Sequence, residues 1–322
     1  MNHSLKSLHI SILFLVLFLS TQLSATIVGT TKGEFSVNQG TANYNLKIDV
    51  PPGVAGMEPK LSLNYSSSGG NGYMGIGWNI GGVSAITRCA QTKAVDGANH
   101  KFGVKYDAND RFCLDGQRLI NVSGAYGADG TEYRTEIDTY SKIVSRGSYG
   151  GGPRYFDVYT KSGLRYIYGA AATTYEFTVP GKAMKLWKVD RIIDTYNNQI
   201  AFNYTVDYAK GIHRLNKVTY ADNTIQYNYE RRRDHMQGYH GGYPFLIDQR
   251  LKEVVVKTGT TEVRRYKMVY TNDTARSASK LMSITEHVPE GDLRKLSMSY
   301  QDVTGKLKIS TRTPPTKTKD AH

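Results

Sequence analysis

Residues 69–82 read Gly-Gly-Asn-Gly-Tyr-Met-Gly-Ile-Gly-Trp-Asn-Ile-Gly-Gly, seven glycines around one of only two tryptophans. Glycine enters positive φ without a Cβ clash and lets a backbone or a ring come close. Gly70, Gly72, Gly75, Gly77, Gly81 and Gly82 therefore predict tight bends packed around Trp78. Gly70-Asn-Gly72-Tyr-Met-Gly75 also fits the dinucleotide fingerprint, with Asp96 downstream. That fingerprint needs a helix opening at its last glycine, whereas residues 76–88 carry three more glycines and several β-branched residues. No nucleotide cofactor is expected.

The rest of the chain is punctuated like a β protein. From residue 33 to 88, short apolar runs are cut by Pro51-Pro-Gly53 and Glu58-Pro59, which belong in connections because proline cannot donate to a ladder. Further on, Asp115-Gly116 separates Arg111-Phe-Cys-Leu114 from residues 117–122, and Lys161-Ser-Gly163 separates two aromatic-rich runs. Asp-Gly between apolar runs is a strong hairpin signal because both residues accept positive φ.

The second half repeats itself. Leu186-Trp-Lys-Val189, Leu215-Asn-Lys-Val218, Leu251-Lys-Glu-Val254 and Leu281-Met-Ser-Ile284 each precede a turn and a strand ending in tyrosine: Phe202-Asn-Tyr204, Tyr227-Asn-Tyr229, Met268-Val-Tyr270 and Met298-Ser-Tyr300. The leucines lie 29 to 36 residues apart, which is one hairpin per repeat and the signature of a stacked array. Trp187, Tyr204, Tyr229, Tyr270 and Tyr300 are the expected packing residues between repeats. The fold class predicted is all-β: an irregular β-rich part over residues 26–180, then hairpin repeats over residues 181–309. One connection is long, residues 230–250, and carries Arg231-Arg-Arg233, His235 and His240. With no third ligand beside the histidines it is expected to be a solvated loop rather than a metal site.

Gly33-Glu-Phe-Ser-Val37, Gly40-Thr-Ala-Asn-Tyr44, Val50-Pro-Pro-Gly53, Gly56-Met-Glu-Pro59, Leu61-Ser-Leu-Asn-Tyr65, the glycine block, Ile86-Thr-Arg-Cys89 and Arg111-Phe-Cys-Leu-Asp-Gly-Gln-Arg-Leu119 follow one another in order. This run resembles the N-terminal region of the Salmonella virulence plasmid B (SpvB) family, shared with the B components of insecticidal toxin complexes. The hairpin array resembles degenerate YD repeats of Rhs-type shells. The resemblance implies a β-shell that encloses a toxic polypeptide, with other parts of the shell as partners. Some family members carry an ADP-ribosyltransferase domain marked by two glutamates two residues apart, and no Glu-x-Glu occurs in this chain.

The N-terminus places Lys6 before an apolar run over residues 10–19 and small residues up to Ala25, the pattern of a secretory signal peptide over residues 1–25. The run is too short to span a bilayer, so no stable membrane anchor is expected. In an exported chain Cys89 and Cys113 are permitted a disulfide, the alternative being two small buried hydrophobes. Formal net charge is +13, with 25 Lys/Arg against 15 Asp/Glu over residues 181–322. No reader motif accompanies that charge, so nucleic acid is not an expected partner. Residues 310–322, proline- and lysine-containing, read as a disordered basic tail.

No nucleophile elbow, zinc-protease motif or P-loop occurs, so no catalytic, metal-binding or cofactor-binding residue is assigned. A secreted, non-catalytic shell or scaffold is the reading favoured, with self-association through open edge strands a further expectation. A surface module binding glycans through exposed Tyr and Arg is the alternative.

Overall fold

A computed structural model describes residues 31–300 apart from residues 32, 98–102, 178–183, 241–242, 272–277 and 294. The signal-peptide and basic-tail expectations lie outside the described residues. The chain is all-β, with only a 3-10 turn at Val54–Gly56 and one helical turn at Lys93–Asp96 among the described residues.

Four strands open the chain: β1 (Glu34–Asn38), β2 (Thr41–Lys47), β3 (Ser62–Ser66) and β6 (Trp78–Gly81) form an antiparallel sheet in the order β1-β2-β3-β6. Between β3 and β6 the glycine block makes a two-residue ribbon, β4 (Asn71–Gly72) against β5 (Gly75–Ile76). Two glycines there are obligatory. Gly75, at φ +78, would set a Cβ 2.3 Å from the Ser279 carbonyl oxygen, and Gly77, also at φ +78, would set one 2.5 Å from the Tyr65 ring. Gly70 has no such neighbour.

Next come β7 (Ala85–Cys89), β8 (Arg111–Leu114), β9 (Gln117–Ser123), β10 (Glu132–Thr135), β11 (Lys142–Tyr149), β12 (Gly152–Tyr159), β13 (Arg165–Tyr168), β14 (Tyr175–Phe177) and β15 (Met184–Ile193). Each of β7 to β12 pairs with its successor, β13 and β14 both pair with β15, and β15 returns to β7, closing a barrel. The β8–β9 turn is Asp115-Gly116 at φ 48 and 83, the two positive values a tight hairpin of right-twisted strands requires.

Cys89 and Cys113 sit on neighbouring strands β7 and β8, bonded with their Cα atoms 6.0 Å apart. The bridge closes 24 residues of separation, so removing it should cost about 3 kcal/mol through loop-closure entropy. Thermal melts of Cys89→Ser/Cys113→Ser, with and without reductant, check this. The expected result is a lower Tm for the variant and no further reductant effect on it.

β15 is where the sheet forks. Leu186–Lys188 pair with β7, whereas Arg191–Ile193 pair with β16 (Gln199–Asp207), so one ten-residue strand belongs both to the barrel and to the array beyond it. The array continues through β17 (Ile212–Tyr220), β18 (Asn223–His240), β19 (Tyr243–Thr258), β20 (Thr261–Tyr270) and β21 (Leu281–Val288), with β22 (Gly291–Asp292) and β23 (Leu296–Ser297) both pairing with β21. The long connection expected over residues 230–250 is not a loop in its described part: residues 230–240 and 243–250 are the far ends of β18 and β19, paired from Glu230 with Arg250 out to His240 with Tyr243.

The first sheet packs against the array. Asp49 N donates to Tyr266 Oη at 2.9 Å, Tyr220 Oη to the Pro51 carbonyl at 2.7 Å, and Leu251 N to the Tyr73 carbonyl at 2.7 Å. One core results, running from Leu46, Leu63 and Trp78 through Val218, Val254 and Ile284, and on to Phe156 and Trp187 inside the barrel.

Candidate interaction site

The repeat tyrosines share one geometry. Tyr204 Oη donates to the Val189 carbonyl at 3.0 Å, Tyr229 Oη to Leu215 at 2.7 Å, Tyr270 Oη to Leu251 at 2.6 Å, and Tyr300 Oη to Leu281 at 2.9 Å. Each hydroxyl thus reaches back to the strand that opens its own repeat. Burial raises the pKa of all four phenols, so they remain neutral donors.

A cation accompanies every latch. Lys188, Arg214, Arg250 and Lys280 lie 5.1, 5.0, 4.4 and 5.8 Å from the ring centroids of Tyr204, Tyr229, Tyr270 and Tyr300. Each is the residue immediately before the carbonyl that accepts the hydroxyl. The structural repeat is therefore Lys/Arg, then an aliphatic residue, then a later tyrosine. This alignment moves the first repeat from Leu186 to Val189, and the basic residue ahead of each aliphatic one was the sequence signal for it. A latch joins a hydrogen bond of net worth about 1 kcal/mol to a cation–π contact worth about 0.5–1 kcal/mol or more.

The tyrosines also sit at bulges. Register shifts fall just before Tyr168, Tyr204, Tyr229 and Tyr270, which lie opposite Val189, Leu215, Leu251 and Leu281 on the neighbouring strand. A bulge adds one residue to one strand and increases local twist, which lets the ring turn back under its own hairpin.

A buried polar anchor ties the glycine block to the array. Arg232, 2% exposed, donates from Nε to Asp234 Oδ1 at 2.9 Å, from Nη1 to the Gly72 carbonyl at 2.6 Å and from Nη2 to Asn71 Oδ1 at 2.6 Å. Asp234 also accepts from Ser279 N at 2.5 Å and Ser279 Oγ at 2.7 Å, and Arg250 Nη1 donates to Ser279 Oγ at 2.9 Å. Burial would raise the Asp234 pKa, but the bonds from Arg232 and Ser279 outweigh it and hold the carboxyl well below the usual range. Between Arg231 opposite Gln249 and Met236 opposite Ile247, residues 232–235 bulge out of the ladder to make this contact.

Trp78 donates from Nε1 to Tyr300 Oη at 3.2 Å, so the glycine-rich ring meets the last repeat tyrosine. Gly81 and Gly82 leave no room for a Cβ beside Asn64 and Lys60. Trp187, grouped by spacing with the tyrosines, lies instead inside the barrel, edge-on to Phe112 at 5.4 Å and Phe156 at 5.2 Å, with Nε1 donating to the Pro153 carbonyl at 3.1 Å. Arg88 shares that interior, 5.7 Å from the Phe112 ring and 5.8 Å from the Trp187 ring, and burial, opposed by Asp110, lowers its pKa. His235 is exposed. Among the described residues no group of three His, Cys, Asp or Glu side chains is placed to hold a metal, and no helix is long and apolar enough to cross a membrane.

A filled barrel continued by a wall of latched hairpins makes up the described fold. The family model described as Salmonella virulence plasmid 65kDa B protein matches residues 36–239, more than half of the chain, and the chain belongs to this family. Solved structures share the fold. A crystal structure of TcdB2-TccC3 matches with a TM-score of 0.66 and 18% identity over 84% of this chain. The Photorhabdus luminescens Tc holotoxin pore with a TccC3 mutation gives 0.66 and 17% over 88% of this chain and 17% of the other. The N-terminal domain of effector protein SpvB from Salmonella typhimurium strain LT2 gives 0.59 and 16%, over 82% of this chain and 99% of that one. The chain spans only 16% of the TcdB2-TccC3 chain. No curated protein sequence matches it.

Proposed function

We propose that this protein is a secreted, non-catalytic wall segment of a toxin-complex-type shell, which encloses or presents a toxic polypeptide together with other shell components. The observation that carries the reading is the latched array: hairpins repeat with one register rule as far as Tyr270, and the same tyrosine latch recurs at Tyr300. Open strand edges template pairing with further chains, and a shell that continues the sheet removes them. Family membership and the fold shared with toxin-complex assemblies support the same reading. Export follows from the signal-peptide pattern of residues 1–25.

The test is light scattering coupled to size exclusion on the chain recovered from the exported fraction, alone and with the shell protein encoded beside it. Self-association, or a shift to a joint complex, is expected. A monomer at tens of micromolar that ignores the neighbouring product overturns the reading.

A further inference from the structure

A cavity of about 690 Å³ opens where the first sheet, the barrel and the array meet. Its walls are the β2–β3 connection at residues 56–60, the β6–β7 link at residues 82–84, the β8–β9 turn, and parts of β12, β13, β15 and β16. None of the lining residues adjoins an undescribed segment. Val158, Tyr168, Ile200 and Phe202, each at most 3% exposed, give it an apolar floor.

Charge lies at the rim. Glu58, Lys60 and Asp115 are the charged lining residues, two carboxylates against one ammonium. Asp115 is held in place: Oδ1 accepts from Ala85 N at 2.9 Å and Oδ2 from Ser84 Oγ at 2.6 Å, and Ser84 Oγ also lies 2.8 Å from Tyr168 Oη. Both donors are uncharged, and Asp115 has no ion pair among the described residues. Tyr166, half-buried in the same wall, stacks on Tyr168 with ring planes 14° apart. Burial, and after it the Asp115 charge, raises the Tyr166 pKa, so carboxylate and ring lie within electrostatic reach of each other. Ser141, 7% exposed, adds a hydroxyl that has no hydrogen-bond partner among the described residues. An apolar space of this size with a few oriented polar groups is built like a small-molecule site. A fixed carboxylate without a counter-charge, close to an aromatic face, selects a cation.

We propose that this cavity binds a small molecule with an apolar body and one ammonium group, the body resting on Val158, Ile200 and Phe202 and the ammonium lodged between Asp115 and the Tyr166 ring. The Ser141 hydroxyl is a second polar contact for a ligand that carries a matching group. This site is independent of the shell reading and stands or falls without it.

The test is isothermal titration calorimetry of the full chain with tryptamine, tryptophol and indole-3-propionate, which carry an ammonium, a hydroxyl and a carboxylate on one indole body. Saturable tryptamine binding is expected, tighter than tryptophol by at least about threefold, the scale of a rim ion pair joined to a cation–π contact. Indole-3-propionate should bind weakest. Asp115→Asn removes the charge and keeps the turn, because asparagine accepts the φ of 48 found there. In that variant tryptamine should bind no better than tryptophol, whose own affinity is unchanged. Leu164→Trp, at a half-buried lining position, should weaken both probes at least about tenfold by occupying the space. Tryptamine should slow hydrogen exchange at residues 82–85, 114–116 and 164–168. No saturable binding by the full chain overturns the proposal, whether the space is closed or already filled. Equal affinity for the three probes, an ammonium preference that survives in Asp115→Asn, protection confined to other segments, or full affinity in a folded Leu164→Trp overturns it as well. Should Leu164→Trp lose its strand circular dichroism, the Asp115→Asn comparison at the exposed turn decides alone.

Discussion

Arg232→Ala should destabilise the protein by about 3–5 kcal/mol, because it strands a buried carboxylate rather than merely deleting a contact. Asp234 accepts from Arg232 and Ser279 in a site where Arg232 is 2% exposed, so the variant keeps the carboxylate and loses its counter-charge. The anchor also holds the Gly72 carbonyl and Asn71, so its loss should release the glycine ribbon from the array. Urea denaturation reads the effect directly. Asp234→Asn in the Arg232→Ala background should recover part of the loss, since removing both charges costs less than leaving one unpaired. Acid behaviour follows with a definite sign. Asp234 has a folded pKa depressed below its unfolded value, so its stabilisation is present above the ordinary carboxylate range and is lost as pH falls through the folded value. In Arg232→Ala that acid-side loss should shrink, because Arg232's share of the pKa difference is gone while the bonds from Ser279 remain.

Trp187→Ala should cost about 3–5 kcal/mol, the range for emptying a large aromatic site in a packed core. Trp187 is 0% exposed, packs edge-on to Phe112 and Phe156, and stands on the strand shared by barrel and array. Gly169 marks how closely the ring is enclosed: a Cβ there would lie 2.4 Å from Trp187 Cδ1. The expected signature is loss of near-ultraviolet circular dichroism with far-ultraviolet strand signal largely kept, because the cavity loosens the barrel while the hairpins remain bonded. Trp187→Phe, which refills much of the volume but loses the donor to Pro153, should fall between wild type and Ala.

Local chemistry was legible in the sequence where one or two residues settle a turn. Asp115-Gly116 adopts the positive φ pair its hairpin needs, and the turn at Ala221-Asp222 joins Tyr220 to Asn223 across β17 and β18. The leucine and tyrosine spacing likewise revealed the array, because one hairpin per repeat leaves a period. The strand character of residues 230–250 was hidden, since the alternation there buries Arg232 and Asp234, charged residues that an apolar-period reading assigns to solvent. The fork at β15 was hidden for a different reason: nothing local distinguishes Leu186–Lys188, which pair with β7, from Arg191–Ile193, which pair with β16. Pairings between residues a hundred positions apart are set by the packed whole. The glycine block showed bends around Trp78 but not their partners, Ser279 and Tyr300.

The hydroxyls of the repeat tyrosines, and not their apolar area alone, hold successive hairpins in register. Two neighbouring tyrosines on β18 isolate their contribution. Tyr229 Oη donates to the Leu215 carbonyl at 2.7 Å, whereas Tyr227, 1% exposed, has a buried hydroxyl with no hydrogen-bond partner among the described residues. Removing only the oxygen by Tyr→Phe keeps the ring in both. Equilibrium urea unfolding should show Tyr229→Phe destabilised by about 1 kcal/mol or more, and Tyr227→Phe unchanged or stabilised by up to about 1 kcal/mol, because an unsatisfied buried donor is a cost in the folded state. Equal losses in the two variants, or no loss at Tyr229, would contradict the latch account.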